Sequence, residues 1–155
     1  KRKELLIREG QTDTSLYFIK EGALLAYVMD EENEQIIRFG YKNEFIAAID
    51  SFISEKPTQF FIQAVKKTHL LQIQKKPLMN LVYNNPAILL GWLEMIQQLT
   101  LQQLERERDL LTTSPKQRVQ RVLHRSPRLF QEIPLKYIAN YLRMSPETLS
   151  RLKNS

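Results

Sequence analysis

From Glu4 to Ile73 the chain repeats one pattern: five to seven residues rich in Ile, Val, Leu, Phe and Tyr, bounded by a turn signal. The runs are Glu4 to Arg8, Leu16 to Lys20, Ala23 to Met29, Gln35 to Phe39, Phe60 to Val65 and His69 to Ile73. Composition and length make each a short β-strand. Gly10 and Gly22 stand at strand boundaries, Asp30-Glu31-Glu32-Asn33 makes a hairpin tip, and Gly40 closes the next strand. A single hairpin cannot bury its apolar face, so strands at this spacing must close on one another as an antiparallel barrel or roll.

The pattern then changes period. Asn84-Asn85-Pro86 offers an asparagine cap and a first-turn proline, and nothing from Ala87 to Leu111 interrupts a helix of roughly 39 Å. Leu89, Trp92, Ile96 and Leu99 form one apolar seam, and Leu90, Leu93, Leu101, Leu104 and Leu111 a second. Two seams require two partners. The roll suits one, and the same helix of a second subunit suits the other in a parallel coiled-coil-like contact. The interface expected on that basis comprises Leu89, Trp92, Leu93, Ile96, Leu99 and Leu104. A central helix buried within a monomer is the alternative. Thr112-Thr113-Ser114-Pro115 ends the helix, which divides the chain into a sensor or effector roll (1–83), a dimerisation helix (84–111) and a C-terminal domain (112–155).

Charge separates these parts. Residues 112–155 hold nine Lys or Arg against Glu132 and Glu147, a net of +7; the whole chain carries +6, which leaves −1 on the remainder. A basic segment on a near-neutral body is the footprint expected of phosphate-backbone binding, although a solvated basic face gives the same sum. The absence of cysteine removes disulfides, thiolate nucleophiles and cysteine-held iron–sulfur clusters. There is no glycine-rich phosphate loop and no metal-ligand spacing, and His69 and His124 stand alone, so a non-enzymatic role is expected. No apolar run reaches membrane-spanning length, and the expectation is a soluble, cytoplasmic protein.

The most informative stretch is 135–152. Leu135, Ile138, Ala139 and Leu142 make one helical stripe, and Leu149 and Leu152 another after a short break. With the small Ala139 at the crossing point, Ile138, Leu142, Met144, Leu149 and Leu152 fall where a helix-turn-helix buries side chains. Pro134 opens the first helix, Ser145 caps the second, and Pro146 occupies its first turn. Pro146, Glu147, Thr148, Ser150 and Arg151 are left facing outward, where arginine can pair with a guanine edge and glutamate can accept from cytosine. Ser145, Arg143, Lys153, Arg118 and Arg121 complete the expected DNA-contacting set, the last two on phosphates.

Leu16-Tyr17-Phe18-Ile19-Lys20-Glu21-Gly22-Ala23, the long helix, and Ile133-Pro134-Leu135-Lys136-Tyr137-Ile138-Ala139 followed by Ser145-Pro146-Glu147-Thr148-Leu149-Ser150-Arg151 resemble the Crp/Fnr regulators over nearly the whole chain. The resemblance implies an α+β fold: an antiparallel cyclic-nucleotide-binding-like β-roll (a double-stranded β-helix), a long dimerisation helix and a small winged helix-turn-helix. It also implies double-stranded DNA and RNA polymerase as partners, a homodimer, and a palindromic operator with a TGA-like half-site core. The family's Glu-x-x-Ser-Arg reading set falls on Glu147, Ser150 and Arg151. Departures are equally informative. Aligning on Phe45-Ile46 puts Ala47-Ala48 where cyclic-AMP-binding members hold a Gly-Glu pair, and Thr58-Gln59 where they hold Arg-Ser. A bound cyclic phosphate would lack its arginine and its capping glutamate, so the effector pocket is degenerate, no cofactor is expected, and cyclic AMP control is not anticipated; the pocket is then either vestigial or open to a less charged effector of unknown identity. Arg143 stands at the turn position usually taken by glycine. Relative to the family the chain looks clipped at both ends. A ligand-binding or protein-interaction module without DNA is the rival reading.

Overall fold

A computed structural model describes residues 3–154. The chain divides into two compact units, one ending at Leu78 and the other beginning at Met79. In the first, strands β1 (Leu5–Ile7), β2 (Ser15–Glu21), β3 (Ala23–Asp30), β4 (Asn33–Tyr41), β5 (Phe45–Ile46), β6 (Phe61–Ala64) and β7 (His69–Gln74) form two antiparallel sheets, ordered β1-β6-β3-β4 and β5-β2-β7. All six expected strands are present. The two-residue β5 and the helices α1 (Ile49–Ser54) and α2 (Lys75–Asn84) are additions that the sequence pattern did not reveal.

The roll closes because successive side chains alternate between faces. Tyr17 and Ile19 of β2, Leu24 and Ala26 of β3, and Ile62 and Ala64 of β6 meet Ile7, Ile46 and Ala48 in one buried cluster. Asp30 pairs with Asn33 across a tight turn, with Glu31 in the left-handed region, so the acidic tip turns the chain as its composition suggested. At Gly22, φ is +98°, and a β-carbon would lie 2.4 Å from the carbonyl oxygen of Lys67. Only glycine fits the β2–β3 junction.

The Tyr17 hydroxyl, inside this roll, donates to Asp13 Oδ2 at 2.7 Å. Burial first, then the Asp13 hydrogen bond and charge, pushes the phenol from 10.0 up to about 12. A raised folded-state pKa means that the neutral phenol stabilises the fold fully below pH 10 and loses that contribution as pH rises toward 12. Alkaline titration followed at the tyrosinate absorbance should therefore show Tyr17 among the late-ionising tyrosines, beside Tyr27, whose phenol is also pushed up by burial. Tyr17→Phe should remove both its own ionisation and its part of the stability decline lying between pH 10 and 12; an unchanged decline overturns the assignment.

The second unit is helical: α3 (Pro86–Leu111), α4 (Pro115–Arg125), α5 (Leu129–Glu132), α6 (Leu135–Tyr141) and α7 (Pro146–Lys153). Asn85 Oδ1 accepts from the backbone N–H of Ala87 and Ile88, and Pro86 follows it, so α3 starts as its sequence predicts. The helices of the expected winged helix-turn-helix are therefore in place, while no strand of a wing occurs among the described residues after Gln74. Among the described residues no helix is long and apolar enough to cross a membrane.

Candidate nucleic-acid interface

Val119 and Val122 of α4, Leu129 of α5, Ile133, Ile138 and Ala139 of α6, Leu142, and Leu149 of α7 are all buried. They form the small core of the C-terminal helices. Ala139 carries no side chain beyond Cβ and is fully buried, consistent with its expected place at the crossing, while Met144 and Leu152 are half-buried. The turn between α6 and α7 is closed by the N–H of Arg143 donating to Asn140 and that of Met144 donating to Ala139, each at 3.0 Å. Arg143 has φ +56°, the left-handed conformation that the missing glycine would have taken without strain.

Helix α7 then starts under strict local control. Ser145 Oγ accepts from the Thr148 N–H at 3.2 Å, and Pro146 supplies the first helical φ. Glu147 sits in the first turn, where its own backbone N–H and then the Ser145 hydroxyl hold its carboxyl below the usual range. With Leu149 buried beneath, Ser145, Pro146, Glu147, Ser150, Arg151 and Lys153 lie exposed and Thr148 is half-buried. Leu135, Pro146, Glu147, Ser150, Arg151 and Asn154 line one open groove. The acid and the guanidinium expected to read base edges therefore share a surface. Lys153 leans back, its ammonium 5.7 Å from the Phe130 ring centroid.

The two arginines expected on phosphates are placed differently. Arg118 is half-buried, with its Nε enclosed and without a hydrogen-bond partner. Arg121 is drawn into the protein: its Nη2 donates to Glu105 Oε2 at 2.7 Å and its Nε to Asp109 Oδ1 at 2.8 Å. Its immediate role is to join α4 to α3, and it is not presented as a free surface cation. Glu105, Asp109 and Arg125 were missed from sequence because they sit among charged neighbours that resemble a solvated helix end.

Of the six expected interface residues on α3, Leu93, Ile96 and Leu104 are exposed, and Leu89, Trp92 and Leu99 are half-buried. Leu90, Leu101 and Leu111 are exposed as well. Leu90, Leu104 and Leu111 fall on multiples of seven residues, so the exposed leucines run as a strip along the helix.

In the first unit, Ala47, Ala48 and Thr58 are buried and Gln59 is exposed. The polar groups here are satisfied internally by Asp50, which sequence reasoning also missed. Its Oδ1 accepts from the Thr58 hydroxyl at 2.7 Å and from the Ser51 N–H at 2.8 Å; its Oδ2 accepts from the Gln59 N–H at 2.9 Å. Ala47 and Ala48 bring no polar side-chain atom to the same segment.

Residues 1–85 match the family model for the cyclic nucleotide-binding domain. The cAMP-activated global transcriptional regulator CRP of Salmonella typhimurium is 27% identical over 89 residues, which span 57% of this chain and 42% of that protein. The chain thus matches less than half the length of that relative. FixK2 from Bradyrhizobium japonicum is similar in structure, with a TM-score of 0.84 at 16% identity, over 99% of this chain and 80% of that one. A CRP/FNR-family transcriptional regulator from Thermus thermophilus superposes with a TM-score of 0.71 at 18% identity, over 99% of this chain and 81% of that one. At these identities the structural likeness establishes the fold.

Proposed function

The chain belongs to the cyclic nucleotide-binding domain family and has the fold of Crp/Fnr regulators, and from that premise we propose that it is a DNA-binding transcription regulator. It reads a palindromic operator as a homodimer and is not controlled by cyclic AMP. The observation that carries this reading is the outward face of α7: Glu147, Ser150 and Arg151 stand exposed on a helix whose start and underside are fixed by Ser145, Pro146 and Leu149. Such a helix enters a major groove without rearrangement, and the charge of residues 112–155 draws it to the duplex. Two copies related by a dimer axis along α3 would present their reading helices about 34 Å apart, one turn of DNA.

Base reading and phosphate attraction predict different mutant signatures. Arg151→Ala should cost about 1 to 3 kcal/mol on the preferred operator and relax the preference at one base pair. Arg143→Ala, on the exposed turn beside the reading face, should weaken all sequences alike and flatten the salt dependence. Operators selected from random DNA, followed by binding titrations at several salt concentrations, test both. Uniform losses across sequences for Arg151→Ala overturn its role as a base reader, and absence of any saturable binding at low salt overturns DNA binding itself.

Effector independence rests on Asp50. A cyclic phosphate placed at Thr58-Gln59 would find the hydroxyl and amide donors already engaged by a carboxylate, and would meet its negative charge. Isothermal titration with cyclic AMP should show no heat of binding up to millimolar nucleotide, and a micromolar site would refute this.

A further inference from the structure

One turn of α3, residues 105–109, holds two other helices. Arg121 reaches Glu105 and Asp109 as described, and four residues further along α4 Arg125 does the same. Its Nη1 lies 3.3 Å from both Glu105 Oε2 and Asp109 Oδ1, and its Nη2 donates to Asp109 Oδ2. Both oxygens of Asp109 are engaged, and its side chain is only 2% exposed. Burial alone would lower the Arg125 pKa, but the hydrogen bond and charge of Asp109 outweigh it and leave the guanidinium more firmly protonated. On a neighbouring face of the same turn, the buried Arg106 lies with its guanidinium 4.9 Å from the centroid of the Tyr141 ring, which ends α6.

Ion pairs gathered on a buried carboxylate are a poor route to stability, because desolvation of that group cancels most of the attraction. They excel at fixing geometry. Two carboxylates one turn apart on α3, matched to two guanidiniums one turn apart on α4, define a register and a crossing angle that a patch of leucines would leave loose. The covalent link between these helices is only Thr112-Thr113-Ser114, which limits their separation without fixing their angle. Arg106 against Tyr141 adds a second grip on the first helix of the reading motif.

We propose that Glu105, Asp109, Arg121 and Arg125 form a positioning clamp that sets the angle of the reading helices against α3, so that the dimer measures the spacing between operator half-sites. The inference rests on the DNA-binding reading above. Its residues touch no base: they act through the placement of α7, and loosening them changes which spacings are accepted without changing how one half-site is read.

The test uses the full chain carrying Glu105→Gln, which is milder because this carboxylate is 40% exposed, and separately Asp109→Asn. Operators with identical half-sites and central spacers shortened or lengthened by one and two base pairs are compared with a single half-site. The unsubstituted chain should favour one spacer by on the order of tenfold or more, since accommodation elsewhere demands bending or twisting of the duplex. Both variants should bring the spacers to within about threefold of one another, while retaining dimerisation by sedimentation and single half-site affinity. Should Asp109→Asn fail to fold by circular dichroism, Glu105→Gln alone decides. Variants that keep the original spacer preference, or that lose half-site and operator binding in parallel, overturn the clamp and leave the DNA-binding reading standing. An unsubstituted chain that binds neither DNA overturns that reading and the clamp with it.

Discussion

Gly22→Ala is expected to destabilise the β-roll by about 4 kcal/mol, combining overpacking with strain at a left-handed backbone position. The added methyl would sit 2.4 Å from the Lys67 carbonyl oxygen and 2.5 Å from the Thr68 α-carbon, distances that only a backbone shift can relieve. That shift is opposed from several sides. The Thr68 hydroxyl lies 3.2 Å from both the N–H and the carbonyl oxygen of Ala23, and the Val65 N–H donates to Ala23 at 2.9 Å. The residues meeting the new methyl are therefore tied to the strand that carries it. A domain of ordinary stability has roughly 5 to 15 kcal/mol to lose, so the variant should unfold at much lower denaturant and show exposed apolar surface at moderate temperature. A change below about 1 kcal/mol in equilibrium denaturation would mean that the junction is far more pliant than its contacts imply.

The other large effect concerns association. Introducing Leu93→Glu together with Leu104→Glu places carboxylates on the exposed strip of α3, where the two leucines are 47% and 55% exposed. Neither side chain supports the core of its own unit, so the variant should fold. Paired helices, by contrast, would have to bury like charges against one another. The chain should sediment as a monomer, and operator affinity should fall by about 10² to 10⁴, the advantage gained when two linked reading heads engage together. Binding to one half-site should be nearly unchanged. A variant that still sediments as a dimer would place the interface elsewhere, and the single-helix alternative, with α3 serving one protomer alone, would then be favoured.

What could be read from the sequence was whatever is set by periodicity and punctuation. The six longer strands announced themselves by apolar runs between Gly10, Gly22, the acidic hairpin tip and Gly40; the long helix by Asn85-Pro86 and an unbroken apolar pattern; and α6 and α7 by two stripes around Ala139 with a Ser-Pro start. Strand β5 has only two residues and so carries no period. Helix α2 opens on Lys75-Lys76-Pro77, which reads as a loop, although proline is tolerated in a first helical turn. The clamp was hidden for another reason. Glu105-Arg106-Glu107-Arg108-Asp109 has the composition of a solvated face, and only the docking of α4 and α6 decides that Arg106 and Asp109 are inside while Glu107 and Arg108 remain outside. Arg143 was legible as an irregularity, a bulky residue where the turn wants glycine, and its positive φ shows that the surrounding hydrogen bonds prevail over the strain.

The carboxylate of Asp50 has a consequence for how such a regulator would be governed. At Thr58-Gln59 the chain's own carboxylate holds the hydroxyl and amide donors, so on the reading proposed above an anionic messenger would meet like charge there instead of free donors. Output at a promoter would then follow copy number or a ligand without that charge, and synthesis and turnover of the chain would do work that a phosphate messenger does elsewhere.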